Sequence, residues 1–192
     1  MKFDLLHLGI FLLILALSFG VGFGVDAIAT AVERNEHPLV EEYDAYVQQS
    51  AETFSVPEPI LWATLKCKSG FASNAVGEGD RVGLMQLTPA EFHSIYTDYL
   101  ETTPPEDGMR YDPRTSIYCG AAQLSRLFER YGVWSTVYAA LAAGTDSVDA
   151  WLSDPACINE QGILHSIPDR DTARFVKEME EAVRLYRELY YE

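Results

Sequence analysis

Beyond residue 35 the chain repeats apolar positions at spacings of three and four, the period of helices that bury one face. Val40, Tyr43, Val47, Ala51 and Phe54 predict an amphipathic helix over about 38–54, with Pro38 suited to its first turn. Glu58-Pro59 opens a second helix that stops at Gly70, and on it Leu61, Leu65 and Lys68 share one face. Thr88 and Glu91 form a capping box for a short helix ending near Leu100, which brings Phe92, Ile95, Tyr96 and Tyr99 inward. Glu101 to Pro113, with three prolines and a glycine, reads as loop. Asp112-Pro113 then starts a helix whose stripe of Ile117, Ala121, Leu124 and Phe128 ends at Gly132. Ser135 to Ala143 is a small apolar helix, and Val148 to Leu152 a short helical turn. Asp169 caps a last helix in which Phe175, Val176, Met179, Val183, Tyr186 and Leu189 recur at helical intervals. No run of alternating β-branched residues marks a sheet, so the pattern predicts one all-α domain over 36–192.

The N-terminal pattern is different. Leu5 to Val25 has no formal charge and only one titratable side chain, His7, over a length that matches the roughly 20 residues of a bilayer-crossing helix. Lys2 and the chain amine precede it, and Asp26 and Glu33 follow. This bias favours a cytoplasmic N-terminus (1–4), a transmembrane helix (5–25) and a linker (26–35) leading to a domain outside the cytoplasm. A secretory signal cleaved near Ala27-Ile28-Ala29 or Ala29-Thr30-Ala31 is the alternative, and it too exports the domain.

Composition narrows the function classes. The 192 residues, 48% hydrophobic and 22% charged, suit one globular domain with a short extra segment. A net charge of -15 excludes a phosphate-backbone reader, so no nucleic acid is expected, and it opposes electrostatic adhesion to anionic lipids or wall polymers. His7, His37, His93 and His165 and the three cysteines show no ligand spacing, so no metal or other cofactor is expected. Trp62, Trp134 and Trp151 fall in apolar helical patterns and read as core rather than as sugar-stacking platforms.

Two motifs remain. Lys66-Cys67-Lys68-Ser69-Gly70-Phe71 breaks a helix at glycine, and Gly83-Leu84-Met85-Gln86-Leu87 follows, with Gln86 18 residues after Lys68. Asn74-Ala75-Val76, Asp112-Pro113 with Ile117 and Gly120, the segment Val137 to Val148, and Ile167-Pro168 with Thr172 and Phe175-Val176 continue the series. Together they resemble the soluble lytic transglycosylase (SLT) domain of the lysozyme-like superfamily, from about Glu36 to Tyr190. The resemblance implies a goose-type, transglycosylase helical fold. It also implies cleavage of peptidoglycan glycan strands between N-acetylmuramic acid and N-acetylglucosamine, giving a 1,6-anhydro product. In that family a single glutamate serves as acid and then as base, unlike the carboxylate pair of most glycosidases.

The resemblance places Lys68 at the position of that glutamate, where an ordinary lysine, with a pKa of about 10.4, donates protons poorly. It places Ser69, Met85, Gln86, Leu141, Ala142 and Phe175 along the substrate groove. Leu141 and Ala142 stand for the family's Tyr-Asn, Phe175 for a tyrosine, Gly77 for a serine and Thr88 for a methionine. The implied protein is a degenerate, pseudoenzyme-type domain that binds glycan strands or a cell-wall enzyme complex. Two alternatives stay open: an active transglycosylase using another acid, with Glu78 and Asp80 nearest in the loop, or a protein-binding scaffold. Gln86 reads equally as a glycan contact or as a structural hydrogen bond. The implied fold makes the helices of Cys67 and Cys119 neighbours, which allows either a disulfide or two free thiols, while Cys157 has no evident partner.

Overall fold

The computed structural model describes residues 30–192, and its two compact units are the chain up to Pro38 and Leu39–Glu192. In the first unit residues 30–36 are helical (α1). The transmembrane helix expected at 5–25 lies outside the described residues, and no described helix is long and apolar enough to cross a membrane.

In the second unit the ends of the helices follow local chemistry. Helix α2 is Glu41–Phe54, starting three residues later than Pro38, with Glu41, Glu42 and Asp44 in the first turn where the helix dipole favours acids. Helix α3 is Glu58–Ser69; Gly70 closes it in the left-handed region (φ 57°), its N–H bonded to the carbonyls of Leu65 and Lys66. The capping box at Thr88 and Glu91 is formed and starts α4, Pro89–Ser94, which runs into a π-helical turn, Ile95–Tyr99. The segment expected to be all loop contains a 3₁₀ helix, Asp107–Tyr111. Asp112 caps α5, Pro113–Tyr131, by accepting from the Thr115 N–H, and Gly132 ends it at φ 68°. Then come α6 (Trp134–Ala143), α7 (Thr145–Leu152, longer than the single turn expected) and α8 (Arg170–Tyr190), capped by Asp169 as anticipated. The described residues contain no named strand, only isolated antiparallel bridges: Val76 with Val82, Val82 with Leu87, and Ile158 with Leu164.

Helix α3 packs on α8 and α2 on α5, while α6 lies against α5, α7 and α8. Ile60, Leu61, Trp62, Ala63 and Leu65 are fully buried, so α3 is covered on nearly every side and reads as an apolar run rather than a stripe. Ile117, Ala121 and Leu124 of α5 are buried as expected, but Phe128 is 36% exposed and stacks on Trp134 with ring centroids 4.3 Å apart. A stripe read by spacing alone does not show where the neighbouring helix stops.

Lys68 reaches the loop beneath α5 because α5 itself comes close to that loop. A β-carbon at Gly120 would fall 2.7 Å from Met85 Sδ and 3.0 Å from Met85 Cβ. Alanine is the better helix former by about 1 kcal/mol, yet Gly120→Ala is expected to destabilise the domain by about 1–3 kcal/mol through overpacking. Urea unfolding measures this, and a variant as stable as the parent would show that the approach is not tight.

Candidate functional site

The last turn of α3 delivers Lys68 to a loop, residues 70–88, whose Leu84, Met85 and Leu87 are buried in the core while its tip at Glu78–Asp80 is exposed. The loop folds through left-handed turns at Phe71, Gly79, Asp80, Gly83 and Gln86. Its backbone is tied by Gly83 N–H to Ala75 O at 2.9 Å, Gly77 N–H to Arg81 O at 2.8 Å, Ala75 N–H to Ala72 O at 3.1 Å, Gln86 N–H to Gly83 O at 3.2 Å, and the Val82–Leu87 pair. Arg110, buried on the 3₁₀ helix, adds to these bonds. Its Nη1 donates to Asp80 O (2.8 Å) and Leu87 O (2.9 Å), and its Nε to Asp107 O (3.1 Å). At Gly83 any β-carbon would run into the Arg110 carbonyl, so both the left-handed φ of 74° and the close approach require glycine.

Under this loop Lys68 Nζ donates to Met85 O at 3.1 Å. Part of the side chain still meets solvent, but the ammonium is enclosed, and its pKa falls from the ordinary 10.5 to about 8. Burial is the main cause and the charge of Arg81 adds to it, while the nearby Glu91 carboxylate opposes both. One oxygen of Glu91 is heavily engaged. Its Oε2 accepts from Arg81 Nη1 (3.0 Å), Thr88 N–H (2.9 Å) and Thr88 Oγ1 (2.9 Å). Burial pushes the Glu91 pKa up, but the Thr88 hydrogen bond, Lys68 and Arg81 outweigh it and hold the pKa below the usual range. Arg81 Nη1 also donates to Gln86 O at 3.0 Å. The result is a half-buried cluster of two cations around one ionised carboxylate. Sequence reasoning found Glu91 only as a cap and missed Arg81 and Arg110, since nothing in their spacing marks partners so far along the chain.

The other expected groove residues separate. Ser69 Oγ donates back to Leu65 O at 3.0 Å, and Met85 is buried with its N–H donating to Ser116 Oγ at 3.2 Å. Gln86 is buried, and its Nε2 donates to Gly83 O (2.8 Å) and Ala75 O (3.3 Å), so its donors act inside the loop. Leu141 is a buried core residue near the end of α6, Ala142 beside it is exposed, and Phe175 is half-buried against the core from α8. These three stand outside the Lys68 network. Glu78 and Asp80 are exposed at the loop tip. A cavity of about 350 Å³ opens on the Glu91 side, walled by Gln123, Arg126 and Arg130 of α5 and by Ala140 and Gly144.

The three cysteines are free thiols, so the disulfide allowed by the resemblance is not formed. Cys67 feels Glu178 of α8, whereas Cys119 feels Glu91, so the two thiols look to different neighbours. Burial raises Cys67 to about 11 and Cys119 to about 12, which suppresses the reactive thiolate. Among the described residues no group of His, Cys, Asp and Glu is arranged to hold a metal ion.

The lowered pKa of Lys68 ties stability to pH. The folded value lies below the unfolded one, so the charged lysine costs stability in full below about pH 8, and the cost fades as pH rises toward 10.5. Lys68→Met removes this dependence. Between pH 7 and pH 10.5 the unfolding free energy of the parent is expected to gain about 2–3 kcal/mol on that of the variant. Parallel pH curves in denaturant titrations would refute the enclosed ammonium.

Residues 45–160 match the model of the Transglycosylase SLT domain family. Membrane-bound lytic murein transglycosylase C from Yersinia enterocolitica is 32% identical over 94 residues, which cover 47% of this chain and 25% of that protein. Among solved structures, the 70 kDa soluble lytic transglycosylase from Escherichia coli superposes with a TM-score of 0.75 at 22% identity, covering 83% of this chain and 26% of that one. An inactive mutant of lytic transglycosylase Slt from Pseudomonas aeruginosa gives 0.70 at 23% identity, covering 79% and 24%. The chain therefore spans about a quarter of the length of these relatives, and the likeness to the solved structures shows a shared lysozyme-like fold. With more than half of its residues matched by the family model, the chain belongs to the transglycosylase SLT domain family.

Proposed function

We propose that this domain holds peptidoglycan glycan strands without cleaving them, and that the segment 5–25 keeps it on the outer side of a membrane. The reading is supported by the family, by a relative named as a membrane-bound murein transglycosylase, and by the apolar N-terminal run. The observation that carries it is Lys68, at the position of the family's glutamate, with its ammonium turned to Met85 O.

Acidity alone does not exclude Lys68 as a proton donor, because a pKa of about 8 is close to that of a useful acid at neutral pH. Charge does the excluding. A glutamic acid that gives up its proton leaves an anion beside a sugar centre that is becoming positive. A lysine is positive before the transfer and neutral after it, so it opposes the developing charge and never stabilises it. Glu91 cannot take over as acid, because its carboxylate is held ionised by Thr88, Arg81 and Lys68. The lowered pKa favours one second reading, slow cleavage with Lys68 as both donor and base.

The test uses the protein, Lys68→Glu and Lys68→Met on purified peptidoglycan, scoring co-sedimentation and released anhydro-muropeptides by mass spectrometry. The parent is expected to sediment with peptidoglycan and release nothing. Lys68→Glu is expected to start slow release, since a carboxyl beside Glu91 would have a raised pKa. Release by the parent that vanishes in Lys68→Met would establish the lysine-catalysed reading. Failure to sediment would leave a protein-binding scaffold.

A further inference from the structure

A second cavity, about 420 Å³, lies between α2, the π-helical turn and the start of α5. It is on the other side of α5 from Lys68. Ser116 and Gly120 face the Gly83–Met85 loop. Arg114 and Tyr118, which line the cavity, are each two residues, or about 200°, round the helix from Ser116.

Tyr46, Gln49 and Ser50 of α2 and Tyr96 of the π-helical turn complete the lining used here. Tyr96 is 9% exposed and Ser50 3%, and neither hydroxyl makes a hydrogen bond to any described protein group. Buried polar atoms are partnered in about nine cases in ten. Neither oxygen is sealed off, so both open on the cavity. The π-helical turn that presents Tyr96 is itself a rare element, one that recurs at binding and catalytic sites. Arg114 forms no ion pair among the described residues, although the chain carries a net charge of -15. Asp112 also lines the cavity, and its Oδ1 is turned to the N–H and hydroxyl of Thr115 rather than to Arg114.

We infer that this cavity is a second sugar-binding site, taking one pyranose ring that carries a carboxylate. The half-buried rings of Tyr46 and Tyr118 are the apolar walls for the ring carbons, and the hydroxyls of Ser50 and Tyr96 and the Gln49 amide meet its hydroxyl edge. Arg114 is left to take the carboxylate. Choosing N-acetylmuramic acid as the probe rests on the peptidoglycan reading of the domain, since its lactyl carboxylate, free where the stem peptide has been removed, supplies that charge.

The experiment is an NMR titration of the isotope-labelled protein with N-acetylmuramic acid and, separately, with N-acetylglucosamine. The acid is expected to shift the backbone amides of Ser50, Tyr96 and Tyr118, and to saturate at about fivefold lower concentration than the neutral sugar. Arg114→Gln should erase that preference, and Tyr96→Phe, which keeps the ring, should weaken both sugars about threefold or more. Shifts confined to Lys68, Arg81 and Glu91 would overturn the second site while leaving the cleft reading intact. No shifts up to about 10 mM would also overturn it. Shifts at the cavity in a protein that fails to sediment with peptidoglycan would uphold the site and sink the cleft reading.

Discussion

The loop from Gly70 to Thr88 anchors Leu84, Met85 and Leu87 in the core, and several of its carbonyls are satisfied by cationic side chains, two of them reaching in from outside the loop. Arg110 bonds Asp80 O and Leu87 O, Arg81 bonds Gln86 O, and Lys68 bonds Met85 O. Guanidinium and ammonium groups suit this work because they carry several donors and no acceptor. The same donors set the electrostatics of the cleft. The segment is thus held both by its buried side chains and by cations whose donors close on its carbonyls.

That arrangement gives Lys68 two roles that a glutamate would not share. It donates to a backbone carbonyl, which a carboxylate cannot do, and it adds a second positive charge around Glu91. A group so placed ties the loop to the last turn of α3.

The helices were legible because their ends are local. Asp112, Thr88 and Asp169 cap within three residues, and Gly70 and Gly132 stop helices through their own backbone freedom. The two motifs pointed to Lys68 and its loop for the same reason. What stayed hidden depends on the third dimension. Arg110 bonds carbonyls 23 and 30 positions away inside a segment whose composition says only loop. Phe128 continues a valid helical stripe past the edge of its neighbour and ends at the surface. The facing of Cys67 and Cys119 depends on helix rotation, which no spacing reveals. Leu141 was placed in the groove by resemblance, yet it is a core residue.

Gly77 has a consequence of another kind. At this position, where the resemblance leads one to expect serine, the Oε1 of Gln86 occupies the space that a side chain at Gly77 would enter, while the same amide's nitrogen ties Gly83 O and Ala75 O. A serine cannot simply return. The amide would have to swing away first, releasing two loop carbonyls before any new contact formed. Positions 77 and 86 are therefore coupled, since a side chain at 77 requires a different orientation of the amide at 86.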